Sequence, residues 1–134
     1  MIRLANISDV DMVKLIDPFS GDRSEDVKEG RVYIYFVEED LCGFISMSRA
    51  GLLGRPYIQY LAVATSHQQK GIAFELLSYI ESKYSDQRLF ISTESTNTIM
   101  LNLLSKKHYV LAGEIAKANL SGSKEIYYFK ESNT

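Results

Sequence analysis

A single change of hydrophobic period, at Gly71, constrains the fold of this chain more than any other feature. Residues 56–63 are apolar, aromatic or β-branched at almost every position, which predicts a strand buried on both faces. Beyond Gly71 the apolar residues recur at steps of three and four along residues 72–84, which predicts an amphipathic helix. We therefore expect a fold built on a central strand that leads into a helix.

The turn between this strand and this helix, Gln68 to Ala73, has the composition of an anion-binding site. The first N–H groups of a helix lack intrahelical partners and carry a partial positive charge. Gly71 lets the backbone approach a ligand, and Lys70 adds a full positive charge, so a phosphate or pyrophosphate is the predicted ligand. The turn is neither a Walker loop nor a Gly-x-Gly-x-x-Gly loop, but a generic ATP- or NAD-binding α/β domain stays open as an interpretation.

Composition narrows the classes of protein that need to be considered. The 134 residues suit one domain with a single core, and the net charge of −2 predicts no nucleic-acid partner. The longest wholly apolar run, residues 32–37, is too short to span a bilayer, and charges near the start are unlike a signal peptide. No membrane association and a cytoplasmic location are therefore expected. One cysteine and two distant histidines exclude a disulfide framework and predict no metal site.

The rest of the chain is predicted to alternate short strands with helices. Ser8, followed by Asp11, resembles a capping box for a first helix that Pro18 ends. The acidic turn 38–40 is interpreted as the exposed tip of a hairpin, with cation binding as the alternative. The predicted strands are residues 2–5, 32–37, 41–48, 56–63, 88–93, 109–114 and 125–130. The predicted helices are residues 8–17, 25–29, 72–84 and 97–107.

Two segments match the signature of the GNAT acetyltransferases in order and spacing. They are Leu61-Ala62-Val63, which matches a strand ending in Leu-x-Val, and Gln68 to Ala73, which matches Gln/Arg-x-x-Gly-x-Gly/Ala. The predicted order β-α-α-β-β-β-α-β-α-β-β is also the family's order, so the chain resembles this family over essentially its whole length. The resemblance implies a single domain, residues 1–134, of the α/β class (α+β type). Its mixed, mostly antiparallel twisted sheet would have about seven strands, with four helices.

The resemblance also implies an activity. It is that of an acetyl-CoA-dependent N-acetyltransferase, which transfers the acetyl group directly to a primary amine of a small molecule or protein without a metal. A homodimer is a further implication, since dimerisation is common among relatives. Acetyl-CoA would bind mostly to backbone groups of the central strand and the following turn. The implied cofactor-binding residues are Leu61, Ala62, Val63, Gln68, Gln69, Lys70, Gly71, Ile72, Ala73 and Asn97.

The residues that would handle protons depart from the family pattern. Leu104 stands where many relatives have a tyrosine that protonates the leaving sulfur, and Gln59 stands where many have a glutamate. Substitutes for the missing acid are Ser105, His108, Tyr109 or solvent. Glu94 is the nearest carboxylate by topology. The candidate catalytic residues are Glu94, His108 and Gln59, and the candidate substrate-binding residues are Tyr33, Tyr57 and Gln59.

Other features leave the acceptor and the activity open. Strict alternation along the central strand places Gln59 on the same face as Tyr57, Leu61 and Val63. An acidic surplus around residues 19–30 hints at a cationic acceptor such as a polyamine, an aminoglycoside or lysine. Cys42 is interpreted as a small buried hydrophobe rather than the nucleophile of an acetyl-enzyme. The alternative to an enzyme is a coenzyme A-binding domain with little or no catalysis, acting as a sensor or interaction module.

Overall fold

A computed structural model of the chain describes residues 1–19 and 21–133. Within these residues the chain forms seven strands and four α-helices, in the order predicted from the sequence. The strands are β1 (Ile2–Leu4), β2 (Val32–Val37), β3 (Asp40–Met47), β4 (Tyr57–Val63), β5 (Leu89–Glu94), β6 (Val110–Ile115) and β7 (Glu125–Lys130). The helices are α1 (Val10–Ile16), α2 (Ser24–Lys28), α3 (Ile72–Lys83) and α4 (Thr98–Lys106).

The strands of the described chain form one sheet in the order β1-β2-β3-β4-β5-β7-β6. Neighbouring strands are antiparallel except β4 and β5, which run parallel. The connection between β4 and β5 is the crossover helix α3, as parallel pairing requires. The predicted fold class, α/β of the α+β type with a mixed, mostly antiparallel sheet, is therefore confirmed.

Each face of the sheet has its own apolar core. On one face α3 buries Ile72, Leu76 and Ile80 against β2 to β5. On the other face α1 and α2 contribute Val13 and Val27 to a second buried cluster. Burying a side chain of this size contributes roughly 1.5–3 kcal/mol. The two cores fix both helical layers on the central strands, so the ends of β4 and α3 are held in place.

The ladder between β4 and β5 is short. The two strands pair only at Tyr57 with Phe90 and at Ile58 with Ile91. Immediately afterwards β4 carries a β-bulge, because Met47 of β3 faces Ile58 whereas its neighbour Ser46 faces Tyr60, which leaves no partner for the residue between. Bulges bend and twist a strand. The bulge therefore coincides with the point at which β4 and β5 part.

This bulge makes two predictions from the sequence wrong. β4 is not buried on both faces, since Gln59 is exposed and only Ile58 and Ala62 are fully buried. Strict alternation also fails at the extra residue. Leu61 and Val63 pack towards the core beneath α3, whereas Tyr57 stacks on Tyr127. Tyr127 pairs with Ser92 across the β5–β7 ladder, so these two residues lie on the same face of the sheet. Ile91, the residue before Ser92, lies in the core beneath α3, so Ser92 and Tyr127 lie on the other face. Tyr57, which stacks on Tyr127, therefore lies on the face opposite α3.

The capping box at the start of α1 lies two residues earlier than predicted. The Asp9 carboxylate accepts the Asn6 N–H at 2.8 Å, and the Asn6 side chain accepts the Ser8 N–H at 3.1 Å. A short 3-10 turn at Ile7–Asp9 therefore precedes the helix. The Arg3 guanidinium binds the same carboxylate and, as the main cause, holds the pKa of Asp9 below its usual value. The residues Ser8 and Asp11 do not form the predicted box.

Two smaller expectations concern the β2–β3 hairpin. Its acidic tip is exposed at Glu38, Glu39 and Asp40, as expected of a solvated turn. Cys42 is fully buried, in agreement with its interpretation as a small hydrophobe. No helix in residues 1–19 or 21–133 has the length and apolar character needed to cross a bilayer.

Candidate active site

A cleft of about 490 Å³ opens where β4 and β5 part, within the size range of small-ligand sites. Its walls come from the α1–α2 loop, β4, β5, the N-terminal end of α4, the β6–β7 loop and the start of β7. Of the residues predicted from the sequence, the cleft brings together Gln59, Leu61, Glu94 and Asn97. The predicted acceptor wall, residues 19–30, contributes Phe19, while its residue Ser20 lies outside the described part of the chain.

One edge of β4 is open at the cleft. The Ala64 N–H donates to the Cys42 carbonyl of β3 at 2.7 Å, which fixes the direction of the peptide groups along the end of β4. By alternation the Ala62 peptide also faces β3, whereas the peptide groups of Leu61 and Val63 face the side that β5 has left. Leu61 thus presents its N–H and carbonyl groups to the cleft side and Val63 presents its N–H, while the Val63 carbonyl accepts the Gln68 side-chain amide. Ala62 does not, because its side chain is buried and its backbone pairs with β3.

The turn after β4 is open to solvent. Gly71 has a left-handed φ of 82° and caps α3, and the first helical hydrogen bond joins the Glu75 N–H to the Gly71 carbonyl. The amides from Gly71 to Phe74 therefore precede the first bonded turn of the helix. A Cβ placed on Gly71 would meet no atom within 4 Å among the described residues. The space above this helix end is free for a ligand.

The other residues of the turn differ in what they offer. Gln69 and Lys70 are exposed, and Gln69 has a positive φ of 63°. The Gln68 side chain donates to the Val63 carbonyl at 3.1 Å, which ties the turn to the end of β4. Ile72 is buried in the core beneath α3, so it contributes its backbone rather than its side chain. Together with the half-buried Ala73, these residues form a surface with one positive side chain and several backbone N–H groups, which suits an anion.

Asn97 lies across the cleft and caps α4. Its side-chain oxygen accepts the Met100 N–H at 3.2 Å, which is the bond expected of an N-cap. The Asn97 N–H donates to the Glu94 carbonyl at 3.0 Å. Asn97 therefore fixes the start of α4 against the end of β5 and also lines the cleft.

Glu94 is a fixed carboxylate at the end of β5. Its Oε1 accepts hydrogen bonds from the hydroxyls of Ser121 at 3.2 Å and Ser123 at 3.0 Å. No residue in the described ranges donates to its second oxygen, Oε2. Both serines belong to the β6–β7 loop, so that loop sets the orientation of Glu94. The arrangement leaves one carboxylate oxygen available in the cleft.

A second carboxylate, Glu125, was missed by sequence reasoning. It lies directly across the β5–β7 ladder from Glu94. Its Oε2 accepts the Ser92 hydroxyl at 2.6 Å, and its Oε1 accepts the Asn119 amide at 3.1 Å. The only signal in the sequence was its position at the start of the last strand, and the register of that strand could not be read from the sequence. The cleft therefore contains two oriented carboxylates on neighbouring strands.

Tyr57 completes this hydrogen-bonded chain. Its hydroxyl lies 2.6 Å from the Ser92 Oγ, which itself donates to Glu125. Burial is the main cause that raises the pKa of Tyr57 to about 12, so the phenol stays protonated at neutral pH. Tyr57 can thus donate to Ser92, and the order of donors runs from Tyr57 through Ser92 to Glu125. This places Tyr57 behind the cleft wall as a positioning group.

Two predicted site residues lie elsewhere. His108 is exposed and follows α4, whose nine residues span about 14 Å from the end that lines the cleft. Tyr33 is buried beneath α3, where it packs on Tyr79 with the Lys83 ammonium 5.4 Å from its ring. Neither residue lines the cleft. Leu104 is fully buried, so the position of the family's usual acid is a core position here.

Comparison with known proteins gives a family match and a set of similar solved structures. A family model described as "Acetyltransferase (GNAT) family" matches residues 4–109. No curated protein matches the chain. A GNAT acetyltransferase from Bacillus cereus ATCC 10987 is 23% identical with a TM-score of 0.88, over 100% of this chain and 98% of that one.

Two further solved structures were determined with ligands. YncA from Salmonella typhimurium, whose structure contains acetyl-CoA, is 15% identical with a TM-score of 0.81, over 100% of this chain and 94% of that one. NAA60 from Arabidopsis thaliana, in complex with a bisubstrate analogue, is 17% identical with a TM-score of 0.79, over 99% of this chain and 98% of that one. These likenesses establish a shared fold.

Proposed function

The chain belongs to the GNAT acetyltransferase family, as its sequence resemblance indicated, and we propose that it transfers the acetyl group of acetyl-CoA directly to a primary amine. The observation that carries this proposal is the open edge of β4 at Leu61 and Val63, which leads to the open N-terminal end of α3 at Gly71. Acetyl-CoA is complementary to this path, because its amide-bearing arm can pair with the strand edge and its pyrophosphate can bind at the helix end.

The donor side of the proposal rests mainly on backbone groups. Acetyl-CoA supplies an acetyl group activated as a thioester. The Leu61 peptide groups and the Val63 N–H can pair with an extended amide chain as an added strand would. The amides at the start of α3, together with Lys70, suit the negative charge of a pyrophosphate. Side chains at Gln68 and Asn97 hold the two helix starts in place rather than bearing charge.

The acceptor side needs a group that removes a proton. An alkyl ammonium has a pKa near ~10 and reacts only after it has lost a proton. We assign this task to Glu94, whose Oε2 is available and whose orientation is fixed by two serines. Gln59 is exposed on the bulge and can hold a water or the substrate, but an amide does not act as a base. Solvent serves as the acid, because none of Ser105, His108 and Tyr109 lines the cleft.

Thiol release from acetyl-CoA in the presence of a panel of primary amines tests this function. We expect coenzyme A to appear only when an amine is present, with an equal amount of acetylated amine by mass spectrometry. Calorimetric binding of acetyl-CoA without turnover of any amine would instead support a coenzyme A-binding domain. The buried Leu104 in place of an acid is the observation that favours this second candidate. Tighter binding of ATP or NAD than of coenzyme A would contradict both.

Several expectations from the sequence stay predictions. A single domain over residues 1–134 is supported by the way one sheet carries both cores of the described residues. In residues 1–19 and 21–133, no group of three or more histidine, cysteine, aspartate or glutamate side chains has a metal-binding arrangement. That the protein binds no metal, nucleic acid or membrane, that it forms a homodimer and that it is cytoplasmic stay predictions.

A further inference from the structure

We infer that the acceptor is a primary amine that carries an apolar substituent, with its ammonium bound by Glu125 and its apolar part packed on Phe19 and Tyr60. This inference rests on the proposed function, because it names the substrate class of the same cleft. It follows from the unequal chemistry of the cleft walls. One wall is acidic and the wall formed by the α1–α2 loop and β4 is aromatic.

The acidic wall is fixed before any ligand binds. Glu94 and Glu125 are direct neighbours across the β5–β7 ladder. No lysine, arginine or histidine is among the described residues that line the cleft. The carboxylate of Glu125 is held by Ser92 and Asn119, and each of its oxygens retains capacity for a further hydrogen bond. The pair therefore attracts an ammonium, with Glu125 binding it and Glu94 free to take a proton.

The aromatic wall is also fixed. The rings of Phe19 and Tyr60 pack with centroids 4.7 Å apart, and both residues line the cleft. The Arg23 guanidinium lies 4.0 Å from the centroid of the Tyr60 ring and is held by Asp17 at 2.8 Å. This contact occupies one face of Tyr60 and pins the ring to the α1–α2 segment. The Phe19 ring and the carbon atoms of the Tyr60 ring supply the apolar surface of this wall.

The position of Arg23 favours acceptor amines with an apolar group over acceptors with several positive charges. A second cationic group of an acceptor would approach the Tyr60 ring from the cleft, with the positive guanidinium on its other face. Arg23 is paired with both Asp17 and Asp26, so this wall offers no unpaired carboxylate to a second cation, whereas an apolar substituent gains contact with Phe19 and Tyr60. Leu120, which is fully exposed on the β6–β7 loop, adds an apolar side chain at the edge of the cleft. The walls therefore favour one ammonium beside an apolar group over a polyamine.

A competition between matched amines tests the inference. We expect kcat/KM for 2-phenylethylamine to exceed that for ethanolamine and for spermidine by about tenfold or more, as an apolar pocket discriminates. A second arm measures kcat/KM for short peptides with N-terminal Phe and N-terminal Gly. Comparison with the free amines shows whether the acceptor is a small amine or the N-terminus of a peptide. Preference for ethanolamine or spermidine over 2-phenylethylamine would overturn the inference while leaving the proposed function intact.

Variants separate a binding role from a structural one. Phe19→Ala should reduce the preference for 2-phenylethylamine, and Phe19→Leu should retain most of it, since the apolar contact is kept. Glu125→Gln should raise the KM for the amine by about tenfold, as loss of a charged hydrogen bond does, with the KM for acetyl-CoA unchanged. A preference unchanged in Phe19→Ala, or an amine KM unchanged in Glu125→Gln, would overturn the assignment. No turnover of any amine by the wild-type protein would contradict the proposed function, and this inference with it.

Discussion

The two glutamates of the cleft differ in the hydrogen bonds that hold them, and this difference assigns their roles. Glu94 uses only Oε1 to bind Ser121 and Ser123, so its other oxygen can take a proton. Glu125 uses both oxygens, one for Ser92 and one for Asn119, so its carboxylate is held in one orientation. A base needs a free oxygen, whereas a binding group needs a fixed position.

The role of Glu94 predicts the effect of removing its charge. Glu94→Gln preserves the shape of the side chain but removes the base, so we expect kcat to fall by about 10²–10⁴-fold, the usual range for a general base. Binding of acetyl-CoA, measured by calorimetry, should be unchanged. His108→Gln is the matched control, and kcat should stay close to wild type because His108 lies outside the cleft. A loss of kcat in His108→Gln but not in Glu94→Gln would reverse the assignment.

The environment of Tyr57 predicts a stability change at high pH. Its pKa is raised to about 12 mainly by burial, so the folded state resists ionisation of this phenol. A raised pKa stabilises the folded protein below the unfolded value of ~10, and this stabilisation is lost as pH rises towards about 12. Denaturant unfolding at several pH values should show a shallower loss of stability over this window in Tyr57→Phe than in wild type. Equal slopes in the two proteins would contradict the burial of this group.

At the scale of elements, β4 determines where the site lies. Its bulge at Gln59 ends the pairing with β5 and leaves two peptide groups without a strand partner. The same strand then leads through a short turn into α3, whose first amides are open. The open strand edge and the helix end thus lie along one path. Both can bind a ligand through backbone groups, without a particular side chain.

The start of α3 offers a test that separates folding from binding. Gly71 has a positive φ, and Asn and Asp tolerate this conformation better than other residues do. Gly71→Asp and Gly71→Asn are nearly the same size, and only Gly71→Asp adds a negative charge, which favours a helix start but repels a phosphate. Calorimetry should show much weaker acetyl-CoA binding in Gly71→Asp than in Gly71→Asn, with Gly71→Asp at least as stable to denaturant. Equal affinities in the two variants would exclude this turn as the phosphate site.

At the scale of the whole molecule, local patterns predicted the architecture well. The change of period at Gly71 and the run of β-forming residues at 32–37 correctly predicted β4, α3 and β2, because each pattern is local and follows from burial. The resemblance to the family added the mixed, mostly antiparallel sheet of about seven strands. These features are robust, since they depend on many apolar residues rather than on a few side chains.

The parts of the site that depend on register could not be predicted. The bulge at Gln59 is set by the pairing of β4 with β3, and it moved Tyr57 to the face opposite Leu61. The pairing of Glu94 with Glu125 depends on the register of β7, and Glu125 lies 31 residues after Glu94 in the chain. His108 illustrates the same limit, because the length of α4 carried it away from the cleft. The spacing of residues in the sequence does not reveal the bulge, the register of β7 or the distance of His108 from the cleft.

A titration of the labelled protein with coenzyme A, followed by backbone amide chemical shifts in NMR spectra, tests the central claim most directly. The claim is that the open edge of β4 and the start of α3 bind the acyl carrier. We predict the largest shifts at the amides of Leu61, Val63 and the residues from Gln69 to Phe74, with small shifts elsewhere. Large shifts confined to the far end of α3, around Ser82, Ser85 and Asn133, would place the ligand in a different pocket and contradict the account.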